Sequence, residues 1–189
     1  RYGFINTPRE ARTGFAGQLA GALQVAASNV KAQIEFNPDR VTSYRQIGYD
    51  KHQLTKEQFR DNKVDAAEIG AAEAGTAMYA LDINRLGKGP IATVRVRFKV
   101  PATGVYEEIE WEIPYNPINT PLDQAKPAMR LAAVAVTFAE WLAESPFAGS
   151  VTPGDLQKYL AGVSQHFSAD ARPKQLVEMI RQARQLSGK

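Results

Sequence analysis

Histidines and clustered carboxylates are the side chains in this sequence best suited to acid–base or metal chemistry, and their spacing argues against both. His52 and His166 lie in unrelated segments, and neither forms part of an H-E-x-x-H arrangement on a predicted helix. A Ser–His–acid triad would need partners from distant segments, and no G-x-S-x-G elbow occurs. The chain has no cysteine, which removes thiol nucleophiles, disulfides and cysteine-held zinc or iron–sulfur centres. Asp61, Asp65 and Glu68 fall close together, but the D-x-[DN]-x-[DN]-G calcium pattern is absent and Lys63 interrupts the acids. Gly70 and Gly75 precede a strand and do not form a phosphate loop between strand and helix. The sequence therefore predicts no catalytic residue, no cofactor-binding residue, no metal ligand and no cofactor.

The remaining acids, Glu107, Glu108, Glu110 and Glu112, are explained by the element that carries them. Val94, Val96, Phe98 and Val100 alternate with Thr93, Arg95, Arg97 and Lys99. Pro101 to Gly104 makes a turn, and Val105, Ile109, Trp111 and Ile113 then alternate with Tyr106, Glu108, Glu110 and Glu112. This is a hairpin with a four-residue loop. If Val100 faces Val105, Arg97 lies opposite Glu108 and Arg95 opposite Glu110. The charged face then points to solvent, and the other face, with Trp111, enters the core. Glu107 is the odd acid, on the apolar face near the hairpin end.

The other elements follow from period. Residues 8–28 read as a helix with Thr7 as N-cap, Glu10 completing a capping box, and Phe15, Leu19, Ala22, Leu23 and Ala26 as an apolar stripe. Val30–Phe36 alternates as a half-buried strand and ends at the turn Asn37-Pro38-Asp39. Residues 41–49 and 75–83 read as further strands. Residues 50–72 read as a long surface connection with a helical turn near Lys56–Arg60. Residues 114–127 form a linker with four prolines. Helices are predicted over 127–144, from Thr152 through Val163, and over 173–186. Strands followed by helices make the chain α+β: an antiparallel β-sandwich-like region, then a C-terminal helical subdomain.

Bulk properties narrow the function. The 189 residues carry a formal net charge of +3, with 23% charged and 44% hydrophobic residues, as in an ordinary globular protein. The basic residues are scattered among acids, so nucleic acid is not an expected partner. No apolar run reaches 18 residues, and the longest candidate, Leu131–Leu142, contains Glu140, so no membrane insertion is expected. The chain begins at Arg1 with sequence that reads as mid-domain, so it is expected to be a fragment.

Two stretches occur together in a recognisable way: Ile34-Glu35-Phe36-Asn37-Pro38 with Tyr44 to Tyr49, and Lys63 to Ala71 leading into Thr76 to Leu81. With Arg130 to Ala135 and Phe147-Ala148-Gly149, they resemble an uncharacterised C-terminal domain of bacterial proteins that carry a von Willebrand factor type A domain. Ala67 and Ala71-Ala72 depart mildly from that pattern. The resemblance implies that residues 1–28 are the last strand and helix of a preceding type A domain, that 29–115 form the β region, and that 127–189 form the helical subdomain. The metal motif D-x-S-x-S of type A domains is absent here, so no metal ligand carries over. The resemblance implies a cell-envelope or extracytoplasmic setting. The expected function is non-catalytic protein–protein interaction or scaffolding, with an unknown protein partner and a homodimer as a further expectation. Two alternatives stand beside it: a carbohydrate-binding β module using Tyr44, Tyr49, Tyr106, Trp111 and Tyr115, and an enzyme of unknown type.

Overall fold

The computed structural model describes residues 25–48, 54–64, 66–70, 74–118 and 120–188. The chain is α+β, with antiparallel sheets and helices. It divides into two compact units, one ending at Tyr115 and the other beginning at Asn116.

Among the described residues, the first unit holds six strands: β1 (Val25–Phe36), β2 (Val41–Ile47), β3 (Ala67–Gly70), β4 (Met78–Ile83), β5 (Ala92–Lys99) and β6 (Tyr106–Ile113). They do not close into a sandwich. Four form an open sheet in the order β3-β1-β5-β6, and β2 and β4 pair as a separate ribbon. The hairpin has the predicted register, with Arg97 opposite Glu108 and Arg95 opposite Glu110. The Val100 N–H donates to the Val105 carbonyl at 2.9 Å and closes the turn.

Two expectations change. The helix read over 8–28 does not reach its predicted end, because Val25 to Ser28 belong to β1; residues 1–24 lie outside the described residues. Val25 and Ala27 pair with Gly70 and Ile69 of β3, and the ladder shifts register around Asn29, whose φ is +49°. Small residues there suit a bulged strand as well as a helix, and cross-strand bonding decides the matter. Residues 67–70, read as part of a long connection, form the short edge strand β3. Four residues including an exposed glutamate give too little alternation to register as a strand.

The link between β1 and β2 is tied to residues 84–90 by side-chain hydrogen bonds. The Asn37 side-chain amide donates to the carbonyls of Lys88 (2.8 Å) and Pro90 (2.9 Å). The Asn37 carbonyl accepts from the N–H groups of Arg40 and Val41. Arg40 is only 6% exposed. Its guanidinium donates to the carbonyls of Asn84 and Arg85 at 3.1 Å and lies 4.0 Å from the ring centre of Tyr115. A buried cation is tolerable only with its donors used, and the planar fork suits several carbonyls at once. Gly87 completes the junction, since a Cβ there would lie 2.0 Å from the Asp39 carbonyl oxygen.

The second unit is helical, with α1 (Pro127–Leu142), α2 (Pro153–Tyr159), α3 (Val163–His166) and α4 (Arg172–Ser187). Val134, Phe138, Leu156, Leu160, Val163 and Ile180 form its buried core. Thr152 and Asp155 make a reciprocal capping box at the start of α2. Lys158 and Thr152 both bond the Asp155 carboxylate, in that order of effect, and lower its pKa to about 2. The helix predicted from Thr152 through Val163 is broken. Gly162 turns left-handed at φ +76°, and α3 starts after it. Arg130 donates to the carbonyls of Tyr159 and Ala161 at this break.

Gly87→Ala is expected to destabilise the first unit by about 2 kcal/mol or more, the scale of overpacking against backbone. Gly75→Ala, where an added Cβ meets nothing within 4 Å, is the control and should stay within about 0.5 kcal/mol. Urea denaturation followed by hairpin NMR signals checks this, and equal midpoints for the two variants would contradict it.

Candidate interaction surface

The two faces of the four-stranded sheet differ by strict alternation. Lys31, Gln33, Glu35, Arg95, Arg97, Glu108 and Glu110 share one face; Ala32, Ile34, Val94, Val96, Ile109 and Trp111 share the other. The charged face was expected to be the wet one. In the structure, residues 54–64 lie across it.

Lys31 fastens that cover. It is 4% exposed, and its Nζ donates to the carbonyls of Gln58 (3.0 Å) and Asp61 (2.5 Å). Phe59, 4% exposed, lines a polar recess with Gln33, Glu35, Arg95 and Glu110. Arg60 forks onto Glu108 (2.7 and 3.2 Å), and the Arg97 side chain donates to Asn62 at 3.0 Å. Arg95 bridges Glu35 (2.7 Å) and Glu110 (2.5 Å). The hydrogen bond from Arg95, then the Lys56 charge, holds the Glu35 carboxyl below the usual carboxylate range. Arg60 does the same for Glu108.

The apolar face has the opposite fate. Tyr44 and Tyr79 meet Phe36, with ring centres 4.5 and 5.4 Å away, and Ala92 is buried at that end. Along β6, however, Ile109 is 51% exposed, Trp111 45% and Ile113 37%. The expectation that Trp111 enters the core is therefore corrected. The polar side chains hold the covering segment through hydrogen bonds, and the apolar row stays open. Glu107 is exposed opposite Phe98, an ordinary strand end.

β6 is also a sheet edge: among the described residues, no strand pairs with its outer side. Antiparallel bonding alternates, and the Val100–Val105 pair sets its phase. The odd-numbered residues of β6 bond to β5. The even-numbered ones, Glu108, Glu110 and Glu112, present N–H and C=O outward.

Among the described residues, the others singled out in the sequence do not converge. His166 is exposed at the end of α3, against Phe167. Asp61 uses its carboxylate on the Lys63 N–H, and Glu68 sits on β3. His52, Tyr49 and Asp65 lie outside the described residues. Tyr106 lies under the Arg97 guanidinium at 4.5 Å and Tyr115 under Arg40, while Tyr44 leans on Phe36, so these rings form no shared platform with Trp111. Among the described residues, no group of three or more His, Cys, Asp or Glu is placed to hold a metal ion, and no helix is long and apolar enough to cross a membrane. Lys31 and the 54–64 cover escaped sequence reading. Their one signal was Phe59, a lone large apolar residue amid Lys56, Glu57 and Arg60.

Fold and surface together give an α+β chain that exposes an apolar, acid-flanked sheet edge on β6. The chain belongs to the family described as the C-terminal domain of uncharacterized protein YfbK, whose model matches residues 21–186. Uncharacterized protein YfbK of Escherichia coli strain K12 is 33% identical over 166 residues, covering 77% of this chain and 28% of its own length. No solved structure matches the chain.

Lys31→Met keeps the stem but removes the ammonium, leaving the Gln58 and Asp61 carbonyls without that donor. Unsatisfied buried groups cost about 1–3 kcal/mol, so tryptic cleavage after Arg60 and Lys63 should accelerate roughly tenfold. An unchanged cleavage rate would show that Lys31 does not hold the cover.

Proposed function

We propose that this chain is a non-catalytic protein-interaction or scaffolding module of a bacterial protein that also carries a von Willebrand factor type A domain. The observation that carries the reading is the row Ile109, Trp111 and Ile113, open to solvent on an edge strand. Contiguous exposed apolar side chains rimmed by polar ones are the usual form of a protein contact surface. An edge with outward backbone groups adds a second means of attachment. The type A association is supported by the motif pairs around Asn37-Pro38 and Glu68-Ile69-Gly70, and by a curated relative several times longer than the match. The non-catalytic reading rests on dispersed histidines and on carboxylates engaged by arginines.

The test compares proteins that co-purify with the full-length host protein, with the same protein lacking residues 30–189, and with the full-length Trp111→Glu variant. Partners lost in both variants are the expected result. The same partners in all three preparations would overturn the reading.

A further inference from the structure

The charges of the hairpin alternate by strand, and that alternation specifies what the open edge can accept. β5 offers Arg95, Arg97 and Lys99, and β6 answers with Glu110, Glu108 and Tyr106 at matched positions. Beyond β6 the next position in the sheet is vacant among the described residues. A strand added there would lay one set of side chains beside Glu108, Glu110 and Glu112 and the other beside Ile109, Trp111 and Ile113. The Glu110 side chain is 54% exposed although it bonds Arg95. Glu112 is exposed opposite Thr93, and among the described residues no cation forms an ion pair with it.

A second copy of the chain is a poor occupant. Antiparallel pairing of β6 with itself, in phase with its outward amides, sets Glu110 against Glu110 and Glu108 against Glu112, or Glu108 against Glu110. Like charges directly opposite are destabilising, and natural edges use them to prevent self-pairing. The other edge strand, β3, has only four residues and carries Glu68.

We infer that β6 takes up an extended segment of another polypeptide in which Lys or Arg alternates with β-branched or aromatic residues, adding it as a fifth strand. The backbone of Glu108, Glu110 and Glu112 supplies the hydrogen bonds. The exposed carboxylates of Glu110 and Glu112 select the basic positions, and Trp111 with its isoleucine neighbours covers the apolar ones. The inference rests on β6 being the contact surface of the proposed interaction module.

The probe is a fluorescein-labelled peptide alternating Lys or Arg with Val over seven residues, titrated into the 189-residue chain and followed by anisotropy. Two controls share its length: one with Glu in place of each basic residue, and one of identical composition with the basic residues in a single block. The alternating basic peptide should bind, weaken with added salt, and slow amide exchange at Glu108, Glu110 and Glu112. Exchange at Ile109 and Trp111, already bonded to β5, should stay unchanged. Glu112→Lys, at an exposed position opposite Thr93, should weaken binding roughly fivefold, as expected when an exposed attraction becomes a repulsion. Absence of binding, equal binding of either control, or undiminished binding to Glu112→Lys would overturn the inference. Should partners of the full-length protein still depend on residues 30–189 while the peptide fails, only the nature of the occupant is refuted. Loss of that dependence removes the interaction module as well.

Discussion

The buried ammonium of Lys31 fastens the segment that covers the charged face of the sheet. A lysine in the middle of a strand needs partners for its donors once it leaves water. It finds them in the carbonyls of Gln58 and Asp61, and the 54–64 segment is thereby held over the charged face. Phe59 is buried as a consequence, and Arg60 and Asn62 come within reach of Glu108 and Arg97. The cover is polar at its points of attachment and apolar only where Phe59 inserts.

The ion pairs on that face contribute modestly to stability, because most of them remain partly exposed. Their larger effect is on geometry. Arg95 bonds acids on both neighbouring strands, which pins β1, β5 and β6 in one register. A one-residue slip would put the arginines over the apolar row. At the far end of β1, Asn37 and Arg40 tie the turn to residues 84–90 by carbonyl bonds, so the four-stranded sheet and the β2–β4 ribbon share a junction independent of the charge network.

Much of this was legible in the sequence. The hairpin register followed from alternating charge and a four-residue turn. The helical core followed from period, and the start of α2 from Thr152. What could not be read was which face is covered. Alternation separates Trp111 from Glu110 but does not say which side meets protein, and the usual rule sends the apolar side inward. Here a long-range hydrogen bond from Lys31 overrides that rule, and no local pattern encodes a contact thirty residues away. Strand β3 was missed for a related reason, since four residues owe their conformation to β1. The break at Gly162 is a local signal that periodicity alone passes over.

An exposed apolar row on an edge strand is costly for a protein to keep unless something uses it, which is why the position of Trp111 matters most. Acrylamide quenching of Trp111 fluorescence, measured in a Trp141→Phe background so that a single indole reports, addresses it directly. A solvent-exposed Trp111 gives red-shifted emission and strong quenching, and that is the expected result. Blue-shifted emission with weak quenching would show that the apolar face of the sheet is covered, and would contradict β6 as an open docking edge.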